Sequence, residues 1–201
     1  MLNKKTVLWS ITALYSVLAA PQALASPATE AFIQQNFDKG YAILNSTALT
    51  DPQRRAQFRT LLLGLVASRR VALFALGPYA SRATPGELDT FVEAFKNYSV
   101  SLYEKGLNRY DGQSLRVTGS SDRAVDDSTV QADIVNRNQS SDQPMSVAFR
   151  VRPNETGTLT VTDIVFDGVS LATIARVELT SLLLQHNGSV SELSRLLNGL
   201  R

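Results

Sequence analysis

The chain has no cysteine, so thiolate nucleophiles and zinc–thiolate sites are excluded. Any stability must come from its core rather than from disulfides. Histidine is nearly absent as well: His186 is the single one. No metal-spaced His/Asp/Glu cluster, P-loop or dinucleotide fingerprint occurs, and no cofactor is expected. Tryptophan is reduced to Trp9. Internal repeats and low-complexity linkers are missing too, and 201 residues fit one domain.

A long membrane span is also lacking. Residues 1–25 have instead the three parts of a secretory leader: Lys4 and Lys5, an apolar run over 6–20, and Ala23-Leu24-Ala25 as an A-x-A cleavage site. The run is too short for a confident span. The expected product is a soluble, exported protein of residues 26–201. Removing the leader takes two lysines from the 20 basic residues and none from the 18 acidic ones. The remainder has 18 of each sign and no net charge, which leaves no electrostatic case for nucleic acid or an anionic membrane. Five N-x-S/T sequons, at Asn45, Asn97, Asn138, Asn154 and Asn187, read mostly as turn chemistry.

What is present begins with helices. Residues 27–45 carry Phe32, Ile33, Phe37, Tyr41 and Leu44 on one side. Asp51-Pro52 predicts a helix start with Asp51 as cap, and the helix is expected to run to about Val71 with Phe58, Leu61, Leu62, Leu65 and Val66 inward. Arg54, Arg55, Arg59, Arg69 and Arg70 accompany it as a solvated face. A short apolar helix, 71–79, is stopped by Gly77-Pro78. Thr84-Pro85-Gly86-Glu87 is a capping box opening a helix to about Leu107. Its many apolar positions predict burial between two layers.

After Asp111-Gly112 the period changes to two. Four strands are expected, over 113–119, 130–136, 145–152 and 158–166, with turns at Asp126-Asp127, 140–142 and 153–155. Short joins favour an antiparallel meander. Asp167-Gly168 turns the last strand into a helix bearing Leu171, Ile174, Ala175, Leu179, Leu182 and Leu183, closed by Gly188. Ser189-Val190-Ser191-Glu192 caps a final helix over 189–200. The expected class is α+β: N-terminal helices, a curved four-stranded antiparallel sheet and two C-terminal helices, cone-like, with an apolar cavity between sheet and helices.

Ser170 has two competing roles. Gly168-Val169-Ser170-Leu171-Ala172 is one residue from the G-x-S-x-G nucleophile elbow, which would make the chain a serine esterase. The same position suits a helix N-cap. His186 lies sixteen residues further along the same predicted helix, ~24 Å away at 1.5 Å per residue, beyond the ~3 Å reach of a base. Asp163 and Asp167, four apart at a strand end, do not make a shared carboxylate site. His186 reads as a helix C-terminal residue. The chain is thus expected not to be an enzyme. An apolar-ligand carrier suits its composition: at ~0.8 kcal/mol per methylene, a 16-carbon acyl chain costs on the order of 10 kcal/mol to leave in water.

Two stretches carry a family resemblance. The first, 74–117, has Leu76, Gly77, Tyr79, Thr84, Pro85, Phe91, Phe95, Tyr103, Leu107 and Tyr110 at the positions of an L-G-x-Y-W, T/S-P, F-x-x-x-F, Y-x-x-x-L-x-x-Y pattern. The second, VTDIVFDGVSL at 161–171, is similar to a V-x-D-V-x-[VI]-[ED]-G-V-S-L signature. Together they resemble the MlaC, or toluene-tolerance, family of periplasmic phospholipid-binding proteins, in order along the whole mature chain. Ala80 replaces the family's tryptophan, the strand before Val161 lacks another, and Thr173-Ile174-Ala175-Arg176 replaces its N-Y-R. These departures lie closer to the HpnM-like branch associated with hopanoid lipids, so phospholipid and hopanoid both stand as ligands.

The resemblance implies a periplasmic carrier whose partners are an outer-membrane lipoprotein complex and an inner-membrane ABC transporter complex, with acyl chains held between sheet and helices. Phe74, Tyr79, Phe95, Tyr98, Leu102, Met145, Val147, Phe149, Ile164, Phe166 and Leu171 are the expected cavity walls. Plain core packing is the competing role of each.

Overall fold

The computed structural model describes residues 26–107, 112–135 and 145–200. The leader 1–25, Tyr110, Asp111, Asn136, the Asn138 sequon and the turn at 140–142 lie outside the described residues. No helix among the described residues is long and apolar enough to cross a membrane.

Helix α1 spans Pro27–Leu44 and α2 spans Asp51–Leu65. Thr50, not Asp51, is the N-cap of α2, its N–H donating to the Gln53 side chain at 2.8 Å. The expected continuation to Val71 does not occur. At Val66 the chain leaves the helix, and Val66 forms a parallel bridge to Val161. Ala67 N–H donates to the Val161 carbonyl at 2.9 Å. A strand edge with free carbonyls competes here with the next helical turn, and nothing local in the sequence marks the exchange. Helix α3 then starts at once, Ser68–Leu76, followed by a 3-10 turn at Gly77–Ser81. Helix α4, Pro85–Leu107, opens on the expected capping box: Thr84 N–H donates to Glu87 at 2.9 Å and Glu87 N–H to the Thr84 hydroxyl at 3.3 Å. Arg54, Arg59 and Arg69 of the basic face pair with Asp51, Glu104 and Asp89.

Among the described residues the sheet has five strands, not four: β1 Ser114–Ala124, β2 Asp127–Val135, β3 Met145–Pro153, β4 Leu159–Phe166 and β5 Val169–Ser170. They form an antiparallel meander in sequence order. The first hairpin turns at Val125-Asp126, a residue earlier than Asp126-Asp127, because Asp127 is already paired to Ala124. The additional strand β5 arises because the Asp167-Gly168 turn, with φ 45° and 82°, folds the chain back onto β4 before the next helix starts. Helix α5, Leu171–Gln185, ends at His186, and α6 covers Val190–Gly199.

Thr162 is a bulge. Arg150 pairs with Asp163 and Val151 with Val161, leaving Thr162 as the extra residue. The insertion shifts the two-residue parity. Leu159 and Val161 before it therefore share a face with Ile164 and Phe166 after it. All four pack in one cluster with Val130, Val147, Phe149 and Val151 of the sheet and Phe32, Ile33 and Phe37 of α1. The opposite face carries ion pairs such as Arg116–Asp133 and Arg150–Asp127. A second apolar cluster belongs to helices alone: Leu76, Phe91, Phe95, Leu179, Leu183, Leu193 and Leu197 from α3, α4, α5 and α6.

Candidate functional site

The sheet-and-α1 cluster and the helical cluster do not close on one another completely. At their seam lies a cavity of about 440 Å³, a volume typical of small-molecule pockets, roughly 300–1,000 Å³. Its walls are Leu62, Leu63 and Val66 at the end of α2, Val71 of α3, Phe95, Tyr98, Val100, Leu102 and Tyr103 of α4, Val161 and Ile164 of β4, and Leu171, Ala172, Ile174 and Ala175 of α5. Two of these walls depend on local events already described. The break at Val66 carries the end of α2 against β4, and the bulge at Thr162 turns Ile164 to the same side as Val161.

Three charged residues also line the cavity: Lys96, Asp163 and Glu178. A carboxylate in an apolar wall is costly unless its oxygens are satisfied. Those of Asp163 are. Its Oδ2 accepts from the Ser170 hydroxyl at 2.6 Å, and its Oδ1 accepts from Ile164 N–H at 2.9 Å and Ala172 N–H at 3.0 Å. It therefore fastens β4 to the first turn of α5, where a negative charge also complements the helix dipole. Lys96 donates to Glu93 at 2.7 Å. Burial of the Tyr103 hydroxyl end, and secondarily the Asp163 charge, push the Tyr103 phenol above its usual range. It stays a neutral donor at physiological pH, although the residue as a whole is 39% exposed at the rim. Among the described residues no buried side-chain nitrogen or oxygen lacks a partner, and no three His, Asp or Glu groups are placed to hold a metal ion.

Of the eleven expected wall residues, Phe95, Tyr98, Leu102, Ile164 and Leu171 line this cavity. The others lie elsewhere. Val147, Phe149 and Phe166 belong to the sheet-and-α1 cluster, on the same sheet face as Val161 and Ile164, but do not line the cavity. Met145 is half exposed at the start of β3. Phe74 lies under the Arg176 guanidinium, 5.1 Å from its ring centroid, and Tyr79 packs on the helical cluster. Leu62, Leu63, Val66, Val71, Tyr103, Ile174 and Ala175 were not foreseen as walls. The available signal was the run Leu61-Leu62-Leu63, which has more apolar positions than one helix contact can cover.

Ser170 is the N-cap of α5, its hydroxyl accepting from Thr173 N–H at 3.1 Å. His186 is the residue that closes the same helix at its other end. Ser170 therefore has an aspartate beside it and no histidine, and its geometry is that of a cap.

The family model described as "MlaC protein" matches residues 34–199. Among solved structures the chain is similar to a phospholipid-binding protein from Ralstonia solanacearum, solved in complex with a phospholipid. The TM-score is 0.70 at 21% identity, over 85% of this chain and 95% of that one. The likeness to that structure is one of fold.

Proposed function

The chain belongs to the MlaC family, and from that premise we propose that it is a lipid-binding carrier which encloses acyl chain in the seam cavity. The observation that carries this reading is the cavity itself, about 440 Å³ of space walled by leucine, valine, isoleucine and aromatic side chains. Of the two carboxylates that line it, Asp163 is engaged by the protein's own donors and Glu178 is exposed. Such a predominantly apolar hollow suits hydrocarbon.

The ligand in this reading is a phospholipid, as in the Ralstonia protein whose fold it shares. A flexible acyl chain can follow a seam bounded by α2, α3, α4, β4 and α5. The leader 1–25 directs the chain to the periplasm, and residues 26–201 act there as one domain. The cargo passes between an outer-membrane lipoprotein complex and an inner-membrane ABC transporter complex. The carrier is not an enzyme, and Ser170 serves α5 rather than a substrate.

The protein purified from a periplasmic extract should carry lipid detectable by native mass spectrometry, and the extracted ligand identifies phospholipid or hopanoid. An empty protein that also takes up nothing from labelled phospholipid vesicles would overturn the carrier reading.

A further inference from the structure

The walls of the cavity, on α2, α3, α4, β4 and α5, are not held equally. Helix α3 buries Ala72, Ala75 and Leu76, α4 buries Phe91 and Phe95, β4 buries Val161, and α5 buries Leu179 and Leu183. Asp163 also fastens β4 to α5. Helix α2 has no fully buried residue, and its Phe58, Leu61, Leu62, Leu63 and Leu65 are only half-buried. Among the described α-helices it is alone in this. A segment with few buried apolar contacts is the one that opens at the lowest cost in free energy.

The attachments of α2 are those of a hinged flap. At its end the chain leaves helical backbone for two residues, Val66 at φ −93°, ψ 133° and Ala67 at φ −71°, ψ 64°. The Ala67 N–H on the Val161 carbonyl, 2.9 Å, fixes that pivot to the sheet. Phe58 and Leu61 lie against Gly40 of α1, a position with no side chain to interlock. Arg59 ties the helix to α4: its guanidinium donates to the Asn97 side-chain carbonyl at 2.6 Å and to Glu104 at 3.3 Å. Leu62 and Leu63, one turn further along, line the cavity, so latch and wall share one side of the helix.

Resting on the carrier reading, we infer that α2 is the movable wall of the cavity. It swings from α4 about Val66 and Ala67 to admit or release lipid, and Arg59 latches it closed on Asn97 and Glu104. The other walls keep their packing through the motion. Hinges are short stretches at the ends of elements that absorb the backbone change. A latch of partly exposed polar groups releases more readily than packed side chains do. Lipid beneath Leu62 and Leu63 adds apolar contact to the closed position, so cargo and closure support one another.

Because the chain has no cysteine, two introduced thiols can be bridged without competition. Arg59→Cys and Asn97→Cys in the full mature chain are joined by a short bis-methanethiosulfonate linker that reductant removes. Arg116→Cys with Asp133→Cys, a cross-strand pair of β1 and β2 that does not line the cavity, is the control. Each protein is loaded with phosphatidylethanolamine bearing a fluorescent acyl chain, and its transfer to unlabelled phosphatidylethanolamine–phosphatidylglycerol vesicles is timed. Circular dichroism and urea midpoints establish that every variant is folded. The bridge between positions 59 and 97 should slow transfer about tenfold or more, reductant should restore it, and the control bridge should leave it unchanged. Arg59→Ala should speed release about fivefold, and in the lipid-free protein it should hasten amide hydrogen exchange in α2 but not in α5. Transfer as fast with the bridge as without it, or slowed equally by the control bridge, overturns the movable wall and leaves the carrier reading standing. Unchanged α2 exchange in Arg59→Ala overturns the latch. A wild-type protein that takes up no phospholipid overturns the carrier reading and this inference with it.

Discussion

Asp163 and Ser170 are joined across the Asp167-Gly168 turn by a hydrogen bond of 2.6 Å, the serine donating to the carboxylate. The same aspartate accepts the N–H of Ala172 and of its own neighbour Ile164. The strand, the turn and the first turn of α5 are therefore held at one point, next to the cavity. This gives the D-x-x-x-D-G-V-S-L string a physical content. The first aspartate receives the helix start, the Asp-Gly pair makes the turn, the serine caps, and the leucine is the first wall residue of α5.

The two partners should differ in weight. Ser170→Ala removes one cap and is expected to cost ~0.5–2 kcal/mol. Asp163→Ala removes the acceptor of three donors and should cost about 3 kcal/mol. Urea denaturation of both variants measures the difference. Ser170→Ala should keep its lipid, whereas a serine hydrolase would lose all turnover on an acyl ester substrate.

Filling the cavity should empty it of ligand. Ser99 lines the space from α4, and Ser99→Trp directs an indole into it. Lipid per protein should fall by more than half, with the stability of the empty protein within about 1.5 kcal/mol of wild type. Val147→Trp is the contrasting variant. Val147 is 1% exposed inside the sheet-and-α1 cluster, so added bulk there should destabilise the fold by about 1–3 kcal/mol. Lipid retained in full by folded Ser99→Trp would show that the ligand lies elsewhere.

The Asp127–Arg150 pair predicts a pH dependence. The Arg150 side chain, by hydrogen bonding first and by its charge as well, holds the Asp127 carboxyl below its usual range, against the opposing effect of burial. A carboxyl depressed in the folded state contributes stability above its unfolded pKa, and that contribution is lost as pH falls through the folded value. Asp127→Asn should therefore be less stable than wild type at pH 7 by about 1–2 kcal/mol, discounted because Arg150 is partly exposed. The gap should narrow below about pH 4. Urea titrations at pH 7 and pH 3 compare the two, and a gap that widens in acid contradicts this assignment.

Gly77 should not tolerate a side chain. Its backbone sits at φ 59° and ψ −135°, a region that glycine alone adopts readily. An added Cβ would also lie 3.1 Å from Nε of Arg176. Gly77→Ala is expected to cost ~1–3 kcal/mol. Most of that cost should persist in an Arg176→Ala background, because removing the guanidinium relieves the close contact and leaves the backbone strain. Chemical denaturation of the single and double variants gives both numbers, and a neutral Gly77→Ala would place the strain elsewhere.

Legibility in the sequence follows the range of the interaction concerned. The capping box at Thr84, the Asp167-Gly168 turn and the caps at Ser170 and Ser189 are made within four residues of chain, and the local order of residues determined each of them. The alternation in β3 and the helical stripe of α5 were readable for the same reason, and with them the α+β class. Three features were not. Helix α2 stops at Leu65 because a carbonyl nearly a hundred residues away takes the Ala67 N–H. The bulge at Thr162 puts Val161 and Ile164 on one face of β4, where α2, α3 and α5 from distant parts of the chain pack against the strand. The cavity exists because two separately satisfied apolar clusters meet imperfectly, and an unfilled volume belongs to no single segment. The sequence by itself settled which residues are apolar, and only the tertiary structure decided which of them face one another and which face a void.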